Sequence, residues 1–259
     1  ATVTISYTGD PDSPIETLTT DESGQTPEIN LKAPPRELSL TPDITEQPYS
    51  EYNIQVTADG FETVLVSGSE ILAGAYSLQP IRMNPLDVTE EEEKVVVIPP
   101  HTLFGEYPPK IPEEEIKPMN ETGEIVLSRV VIPEYVIVHD GDPEDPTARN
   151  YWVRYKDYIK NVASSEIYPT WSESAIYANI LVIQSFTLNR IFTEWYRGKG
   201  YDFTITSSTA YDQKWIYGRN VFEEIDYLVD SIFTNYLSRP GVRQPIFTSY
   251  CDGNRTRCR

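Results

Sequence analysis

Glu166 is the residue of this chain whose position best suits proton-transfer chemistry. It follows Ile159, Val162 and Ala163 at helical spacing, so one helix face would carry three apolar side chains and one carboxyl group. Apolar surroundings disfavour the charged form of a carboxyl group, so we expect the pKa of Glu166 to rise towards the range of a general acid. The alternative is a glutamate at a helix end whose side chain reaches water. The periodicity alone leaves both interpretations open.

The residues on either side of Glu166 predict two helices that meet near it. A first helix is expected over residues 156–165, and Pro169 ends it because proline disfavours helical backbone at the residue before it. Ser172 is a suitable N-cap for a second helix that runs to about residue 196 and stops at Gly198. One face of the second helix carries Ile176, Ile180, Ile183 and Thr187.

A third helix and several strands complete the predicted C-terminal part. Asn220 would cap this helix and Pro240-Gly241 would end it. Its inward side chains would be Ile225, Leu228, Val229, Ile232 and Tyr236. Strands are expected at residues 125–127, 130–132 and 135–138, where β-branched and aromatic residues are concentrated. This pattern predicts a mixed α/β domain, rich in helix, from residue 125 to residue 259.

Residues 1–84 have the alternation that is typical of β structure. Apolar and polar side chains alternate over residues 2–7 and 52–57, and Asp59-Gly60 is a turn signal before a further strand. Residues 20–24 predict a second turn. About seven short strands of this kind indicate a small β-sandwich. No residues in this part have catalytic spacing.

Residues 85–124 have the composition of an acidic, proline-rich linker. Runs of glutamate at 90–93 and 113–115, interrupted by prolines, rarely form a core. Residues 95–98 predict one strand or a docking segment within it. The predicted organisation is therefore a β-domain at residues 1–84 and a linker at 85–124, followed by the mixed α/β domain. The fold class predicted for the whole chain is α+β.

Composition excludes some classes of function. The chain has 259 residues and a net charge of −19, so it would repel a nucleic-acid backbone. No run approaches the roughly 18 apolar residues that a membrane-spanning helix needs. Cys251 and Cys258 could form a disulfide, remain thiols or supply half of a zinc site, which would need two further ligands. No metal site and no cofactor are expected.

Several ordered segments resemble the SpoIID/LytB domain family. That family reads YL-x-G-V-V-x-x-E-M-P, then a tryptophan, then A-L-K-A-Q-A-V-A-A-R-T-Y. This chain has DYI at 157–159, VASSEIYP at 162–169, Trp171 and AIYAN at 175–179. The likeness continues at YDF 201–203, SST 207–209, YG 217–218, PI 245–246 and SYCDG 249–253. The segment IPEYVIVHDG at 132–141 is similar to spore cortex-lytic members, and residues 49–61 resemble the transthyretin-like, carboxypeptidase-regulatory-like fold.

The resemblance implies a peptidoglycan-cleaving lytic transglycosylase in which Glu166 is the single acid and base. Hydrolysis by the usual routes needs a second carboxylate about 5–9.5 Å away. None stands out in the sequence, since Glu173 begins the second helix and Asp202 and Asp212 lie in later loops. A lytic transglycosylase needs one acid only, because the muramic acid ring closes on its own C6 hydroxyl.

The residues that could contact the glycan share hydroxyl, amide or aromatic groups. They are Gln184, Tyr201, Ser207, Ser208, Tyr211, Gln213, Tyr217 and Tyr250. Each could equally be a buried aromatic or a turn residue. Gln184 stands where the family has an arginine, and the family's Q-x-Y-x-G pattern is one residue longer here at 213–218. Both departures put substrate contacts in doubt more than the acid.

The resemblance also implies a precursor that a protease activates. The implied partners are glycan strands of the spore cortex and a subtilisin-like germination protease, and the implied location is the cortex and coat region of a bacterial spore. We expect the activating cut in the linker at Gly123, Glu124, Ile125 or Val126, because proteases act on exposed linkers. Spore cortex-lytic members would continue after Arg259 with a further segment and a peptidoglycan-binding repeat.

A second interpretation is a non-catalytic glycan-binding or assembly module with a weakened site, which Gln184 favours. A serine or cysteine hydrolase is disfavoured, because neither His101 nor His139 lies near a suitable motif and no G-x-S-x-G occurs. Release of anhydro-muropeptides would separate the first two interpretations.

Overall fold

The chain folds into two compact units and has a mixed α+β structure as a whole, in agreement with the predicted class. The computed structural model describes residues 1–42, 44–86, 93–116 and 127–249. Unit 1 comprises Ala1–Phe104, Tyr168–Trp171 and Ile216–Glu224. Unit 2 comprises Gly105–Ile167, Ser172–Trp215 and Ile225–Arg259. Each unit is therefore assembled from segments that are distant in sequence.

Strands and helices alternate irregularly along the described residues. The strands are β1 (Thr2–Tyr7), β2 (Asp10–Thr19), β3 (Ser50–Thr57), β4 (Thr63–Ile71), β5 (Ser77–Leu78), β6 (Glu93–Val97), β7 (Tyr135–His139), β8 (Asn150–Arg154), β9 (Ile205–Thr206) and β10 (Val221–Phe222). The α-helices are α1 (Tyr155–Glu166), α2 (Glu173–Phe192) and α3 (Glu223–Ile232). No helix in these ranges is both long enough and apolar enough to traverse a lipid bilayer.

A five-stranded sheet organises unit 1. Its order is β2-β1-β3-β4-β6, and all pairs are antiparallel except the parallel β4–β6 pair. The predicted alternation is confirmed in β1 and β3, where Val3, Ile5, Ile54 and Val56 are buried. The predicted Asp59-Gly60 turn is present, since Gly60 has a φ of 79° and β4 begins at Thr63. The core of unit 1 lies on this sheet.

The stretch predicted to be a linker is divided between the two units. Glu93–Val97 forms β6 beside β4, and the described residues 105–116 belong to unit 2. Val95, Val96 and Val97 are β-branched residues, which favour a strand even though the residues on either side have the composition of a linker. Along this stretch the division between the two units falls after Phe104, and the predicted domain boundaries after residues 84 and 124 stay predictions. The described part of 1–84 contains five strands, fewer than the seven or so expected, and a sandwich stays a prediction.

A distant segment, Ile216–Glu224, completes unit 1. Its strand β10 pairs with β5, and Ile216 joins the apolar core of the sheet. Gly218 has a φ of 70°, and a Cβ atom there would come within 2.8 Å of Val96 Cγ1. Both the backbone and the packing therefore require glycine at this position.

A buried ion pair fixes that segment to β4. Arg219 donates to Glu70 Oε2 at 2.9 Å, and both side chains are buried. Burial raises the pKa of Glu70 to about 7, although the Arg219 charge opposes the shift. The Asn220 side chain forms two hydrogen bonds with the backbone of Glu70. Its Oδ1 accepts the Glu70 N–H at 3.2 Å, and its Nδ2 donates to the Glu70 carbonyl at 2.9 Å. The prediction of Asn220 as a helix N-cap is therefore wrong, because its side chain binds β4 and α3 begins at Glu223.

Unit 2 is built on a small mixed sheet, the helices α1 and α2, and all of α3 after Glu224. The sheet order is β8-β7-β9, with β8 antiparallel and β9 parallel to β7. The predicted strand at 135–138 is present as β7, whereas residues 130–132 are irregular and β8 was not predicted. Residues 125 and 126 lie outside the described residues.

The helices match the predicted positions but not the predicted ends. The N-cap at Ser172 is confirmed, because its Oγ accepts the Ala175 N–H at 3.3 Å. α2 ends at Phe192, earlier than expected, and α3 ends at Ile232, well before Pro240. Most of the predicted inward residues of α2 and α3 are buried, namely Ile176, Ile180, Ile183, Thr187, Ile225, Leu228, Val229 and Ile232. Tyr236 is the exception, because it lies after the end of α3 and is only partly buried.

Candidate active site at the end of helix α1

Glu166 is the last residue of α1 and is buried, with 9% of its surface exposed. Its Oε1 accepts the backbone N–H of Lys214 at 2.7 Å. Burial and the C-terminal end of a helix both oppose a negative charge, and the last turn of α1 has no basic residue. The Lys214 N–H supplies a donor to the carboxyl group. The structure thus places this carboxyl group in the buried setting that the sequence predicted.

The loop that carries Lys214 is fixed to α1 and α2 by Gln213. The Gln213 side chain is buried, and its Nε2 donates to the Ile183 carbonyl at 3.0 Å. Its Oε1 accepts the hydroxyls of Tyr158 at 3.2 Å and Thr187 at 2.8 Å. Gln213 therefore positions the loop from within the core, and a contact between its amide and a glycan stays a prediction.

Asp212 anchors the same loop from its other side. Its Oδ1 accepts Arg190 Nε at 2.6 Å. Its Oδ2 accepts the Tyr196 hydroxyl at 2.6 Å and both the amide and the hydroxyl of Thr206, at 2.8 and 2.6 Å. Both oxygens are thus engaged by the protein. Asp212 therefore anchors the loop from within the protein.

Arg190 joins Asp212 to a second acid, Glu113. Its two terminal nitrogens, Nη1 and Nη2, donate to Oε2 and Oε1 of Glu113 at 2.8 and 2.6 Å. Nη2 also donates to the Tyr211 carbonyl at 2.9 Å. The arginine is buried in the interior of unit 2. The two acids raise its pKa, against the opposing effect of burial. A guanidinium with two carboxylate partners is a stable arrangement for a buried charge.

Residues 105–116, here called the strap, lie along the loop that holds Glu166. Four strap residues contact this loop or Arg190, which anchors it, and a fifth contacts Arg239 outside the loop. The contacts are Tyr107 beneath the Lys214 ammonium at 5.3 Å, Lys110 on the Asp212 carbonyl, Ile111 N–H on the Ala210 carbonyl at 2.8 Å, Glu113 on Arg190, and Glu115 on Arg239. The strap is therefore part of unit 2 and covers the anchoring network.

Lys110 brings a cation close to both acids. Burial lowers the pKa of Lys110, and the charges of Asp212 and Glu166 act in the opposite direction. The same two charges, after burial, raise the pKa of Tyr158. Glu166, Asp212, Tyr158 and Lys110 thus interact electrostatically within one region of unit 2.

Of the remaining predicted contact residues, Ser207 and Ser208 lie on the same loop as Lys214 and Gln184 lies on α2. Ser207 donates to Asp140 Oδ1 at 2.8 Å, and the Ser208 carbonyl accepts the amides of Tyr211 and Asp212 at 3.2 and 2.7 Å. Gln184 is buried and donates to the Ile232 carbonyl at 3.2 Å, so it packs α2 on α3.

The aromatic candidates differ in their surroundings. Tyr201 packs against Tyr196 and Phe203, with ring centroids 6.0 and 5.1 Å away. Tyr217 belongs to unit 1, where the Lys94 ammonium lies 5.3 Å from its ring. Tyr250 lies outside the described residues. The structure therefore places Ser207, Ser208, Tyr211 and Gln213 on the loop that carries Lys214, and the roles of all these residues towards a glycan stay predictions.

Two further predictions fall on residues that the structure does not describe. These are the cut region Gly123, Glu124, Ile125 and Val126, and the cysteines Cys251 and Cys258. Over the described ranges, no group of three His, Cys, Asp or Glu side chains is arranged to bind a metal ion.

Sequence reasoning missed the network that positions the acid. Arg190 carried a usable signal, because it lies at i+7 from Ile183 and i+3 from Thr187, on the buried face of α2. A charge on such a face requires a buried partner, and Asp212 is that partner. The strap residues Lys110 and Glu113 gave no such signal, because they stand in a segment of linker composition.

No protein-family model, curated protein or solved structure matches this chain.

Proposed function

We propose that this protein is a peptidoglycan lytic transglycosylase that acts on spore cortex, with Glu166 as its single general acid and base. The observation that carries the proposal is the buried Glu166 carboxyl group, held at the end of α1 by the Lys214 N–H. The sequence around Glu166 resembles the SpoIID/LytB domain, and the sequence of nearly the whole chain resembles SleC-type clostridial enzymes. The proposal includes a SpoIID-like fold for the C-terminal domain and a transthyretin-like sandwich at the N-terminus.

One carboxyl group suffices for the proposed reaction. In its protonated form Glu166 gives its proton to the bridging glycosidic oxygen as the bond from C1 of N-acetylmuramic acid breaks. The resulting carboxylate then takes the proton of the C6 hydroxyl, and the C6 oxygen bonds to C1. The product is a 1,6-anhydro sugar, and Glu166 is protonated again. No water nucleophile is consumed, so the full engagement of Asp212 by Arg190, Tyr196 and Thr206 does not impair this route.

The position of the strap supports the proposal that the protein is made as an inactive precursor. It lies between the predicted β-domain and the predicted cut region, and its Lys110 and Glu113 bind the network beside Glu166. Cleavage by a subtilisin-like germination protease in the region of residues 123–126 would separate the strap from the chain that follows. Partners in this proposal are the cortex glycan strands and that protease, in the spore.

The alternative is a non-catalytic glycan-binding or assembly module. Gln184, buried against Ile232, favours it, because the arginine of the family pattern is absent from this position. The test is incubation of purified cortex with protein cleaved in the linker, followed by mass spectrometry of the soluble products. Anhydro-muropeptides support the enzyme. Cortex binding with no soluble anhydro product supports the module.

A further inference from the structure

A cavity in unit 2 lies where α2 ends and β7 begins. Its volume is about 200 Å³. Aromatic side chains from Tyr135, Trp195, Tyr196 and Phe203 form much of its wall, and Glu194 and Arg197 supply charged groups. A pocket with aromatic walls and a few polar groups is the usual form of a small-molecule site.

Glu194 occupies this wall in an unusual backbone conformation. α2 ends in a Schellman motif, in which the Trp195 N–H donates to the Arg190 carbonyl and the Glu194 N–H to the Ile191 carbonyl, both at 3.2 Å. The residue after the C-cap in such a motif is left-handed and is usually glycine. Here it is Glu194, with a φ of 46°. A side chain kept where glycine would be favoured points to a role for that side chain.

The Glu194 carboxylate retains capacity for a ligand. Arg197 Nε lies 3.8 Å from its Oε2, which is an ion-pair distance but too long for a hydrogen bond. Burial raises the pKa of Glu194, and the Arg197 charge opposes this shift. A ligand hydroxyl could donate to the carboxylate and accept from the guanidinium of Arg197.

The mixed charges of the wall select a neutral polyol. A cationic ligand is disfavoured because Arg197 lines the cavity and Lys199 already lies 3.5 Å above the Trp195 ring. An anionic ligand would meet Glu194. A pyranose ring has apolar C–H faces for aromatic walls and hydroxyls that donate and accept, so it satisfies both groups. The cavity is smaller than the roughly 300 Å³ at which drug-sized sites begin, which fits one ring and not a chain.

An exposed aromatic residue extends the same sheet face. Trp152 of β8 is 71% exposed and is paired in register with Ile137 of β7, so both side chains lie on one face. Ile137 packs in one apolar cluster with Tyr196 and Phe203 of the cavity wall. A sugar next to the bound ring could therefore stack on Trp152.

We propose that this cavity binds one N-acetylhexosamine ring of a glycan strand through Glu194, Arg197 and its aromatic wall. The choice of an N-acetylated sugar rests on the proposed function, whereas the choice of a pyranose ring rests on the wall itself. The cavity also adjoins the acid's surroundings, because Arg190 lines it and binds Asp212.

The test is calorimetric titration of the full chain with the soluble trimer of N-acetylglucosamine. Glu194→Gly removes the carboxylate and relieves the left-handed backbone, so its thermal midpoint should stay or rise while its affinity falls by roughly 10-fold or more. Glu173→Gln, an exposed carboxylate in the first turn of the same helix, is the matched control and should bind like the wild type.

The outcomes separate this inference from the proposed function. Loss of trimer binding in Glu194→Gly alone supports the cavity, even if no variant or wild-type protein cleaves cortex. An unchanged affinity in Glu194→Gly, or no trimer binding by the wild type at millimolar concentration, overturns the cavity proposal, even if the wild type cleaves cortex.

Discussion

The amide nitrogen of Lys214 lies 2.7 Å from Oε1 of Glu166, across 48 positions of sequence. This one contact ties the end of α1 to the loop that Gln213 and Asp212 anchor. The position of the candidate acid therefore depends on a network of buried polar groups, and several measurements follow from it.

Arg190 should be essential to the stability of unit 2. Arg190→Met would leave Asp212 and Glu113 without their shared cation in the protein interior. Loss of one member of a buried ion pair costs about 3–5 kcal/mol, so we expect a loss of that order in urea unfolding. Arg197→Gln, at a side chain that is 50% exposed, should change stability by less than about 0.5 kcal/mol. Equal unfolding midpoints for both variants would refute the anchoring role.

Glu70 should make stability fall as pH rises. The pKa of Glu70 is raised from 4.5 to about 7 in the folded chain, so between these values the folded state keeps a proton that the unfolded state has lost. The stabilisation is complete below pH 4.5 and is lost as pH approaches 7. One such group contributes at most about 1.4 kcal/mol per pH unit.

Glu70→Gln tests this effect, because glutamine cannot titrate. The difference in unfolding free energy between wild type and Glu70→Gln should decrease by about 1 kcal/mol per pH unit from pH 5 to pH 7. Glu22→Gln, at an exposed position, is the control and should follow the wild-type curve. Parallel curves for wild type and Glu70→Gln would show that Glu70 does not hold the proton.

The strap should protect the loop at 207–215 from hydrogen exchange. Glu113→Gln weakens two charged hydrogen bonds to Arg190, so amides of this loop should exchange roughly 10-fold faster. The neighbouring exposed Glu114→Gln should leave exchange unchanged. If both variants exchange at the wild-type rate, the strap does not stabilise the loop.

The sequence predicted local features better than long-range ones. The helices around Glu166, the Ser172 cap and the β alternation of residues 2–7 follow from period and capping, which adjacent residues encode. The strap and the return of residues 216–224 to unit 1 could not be found in this way. They depend on pairings such as Arg190 with Glu113 and Arg219 with Glu70, whose partners lie 77 and 149 positions apart. Asn220 was mispredicted for the same reason. Asparagine is a common N-cap residue, but here its side chain binds Glu70 of β4, a contact that the local sequence does not encode.

Cleavage in the linker should raise activity on cortex. The strap contacts the network beside Glu166 through Lys110 and Glu113, so intact protein should release soluble muropeptides more slowly than protein cut in the region of residues 123–126. The measurement is the initial rate of cortex release before and after limited proteolysis. Equal rates would mean that the strap and β-domain serve folding and not inhibition.

The most direct measurement compares Glu166→Gln with Glu173→Gln on purified cortex, with mass spectrometry of the released products. Glutamine keeps the shape of the side chain but cannot deliver or take a proton, so release of anhydro-muropeptides should fall by about 10²–10⁴-fold. Glu173→Gln should retain most activity, and both variants should keep the wild-type fold by circular dichroism. Release of anhydro-muropeptides by Glu166→Gln at near the wild-type rate would contradict the assignment of the acid and the mechanism that depends on it.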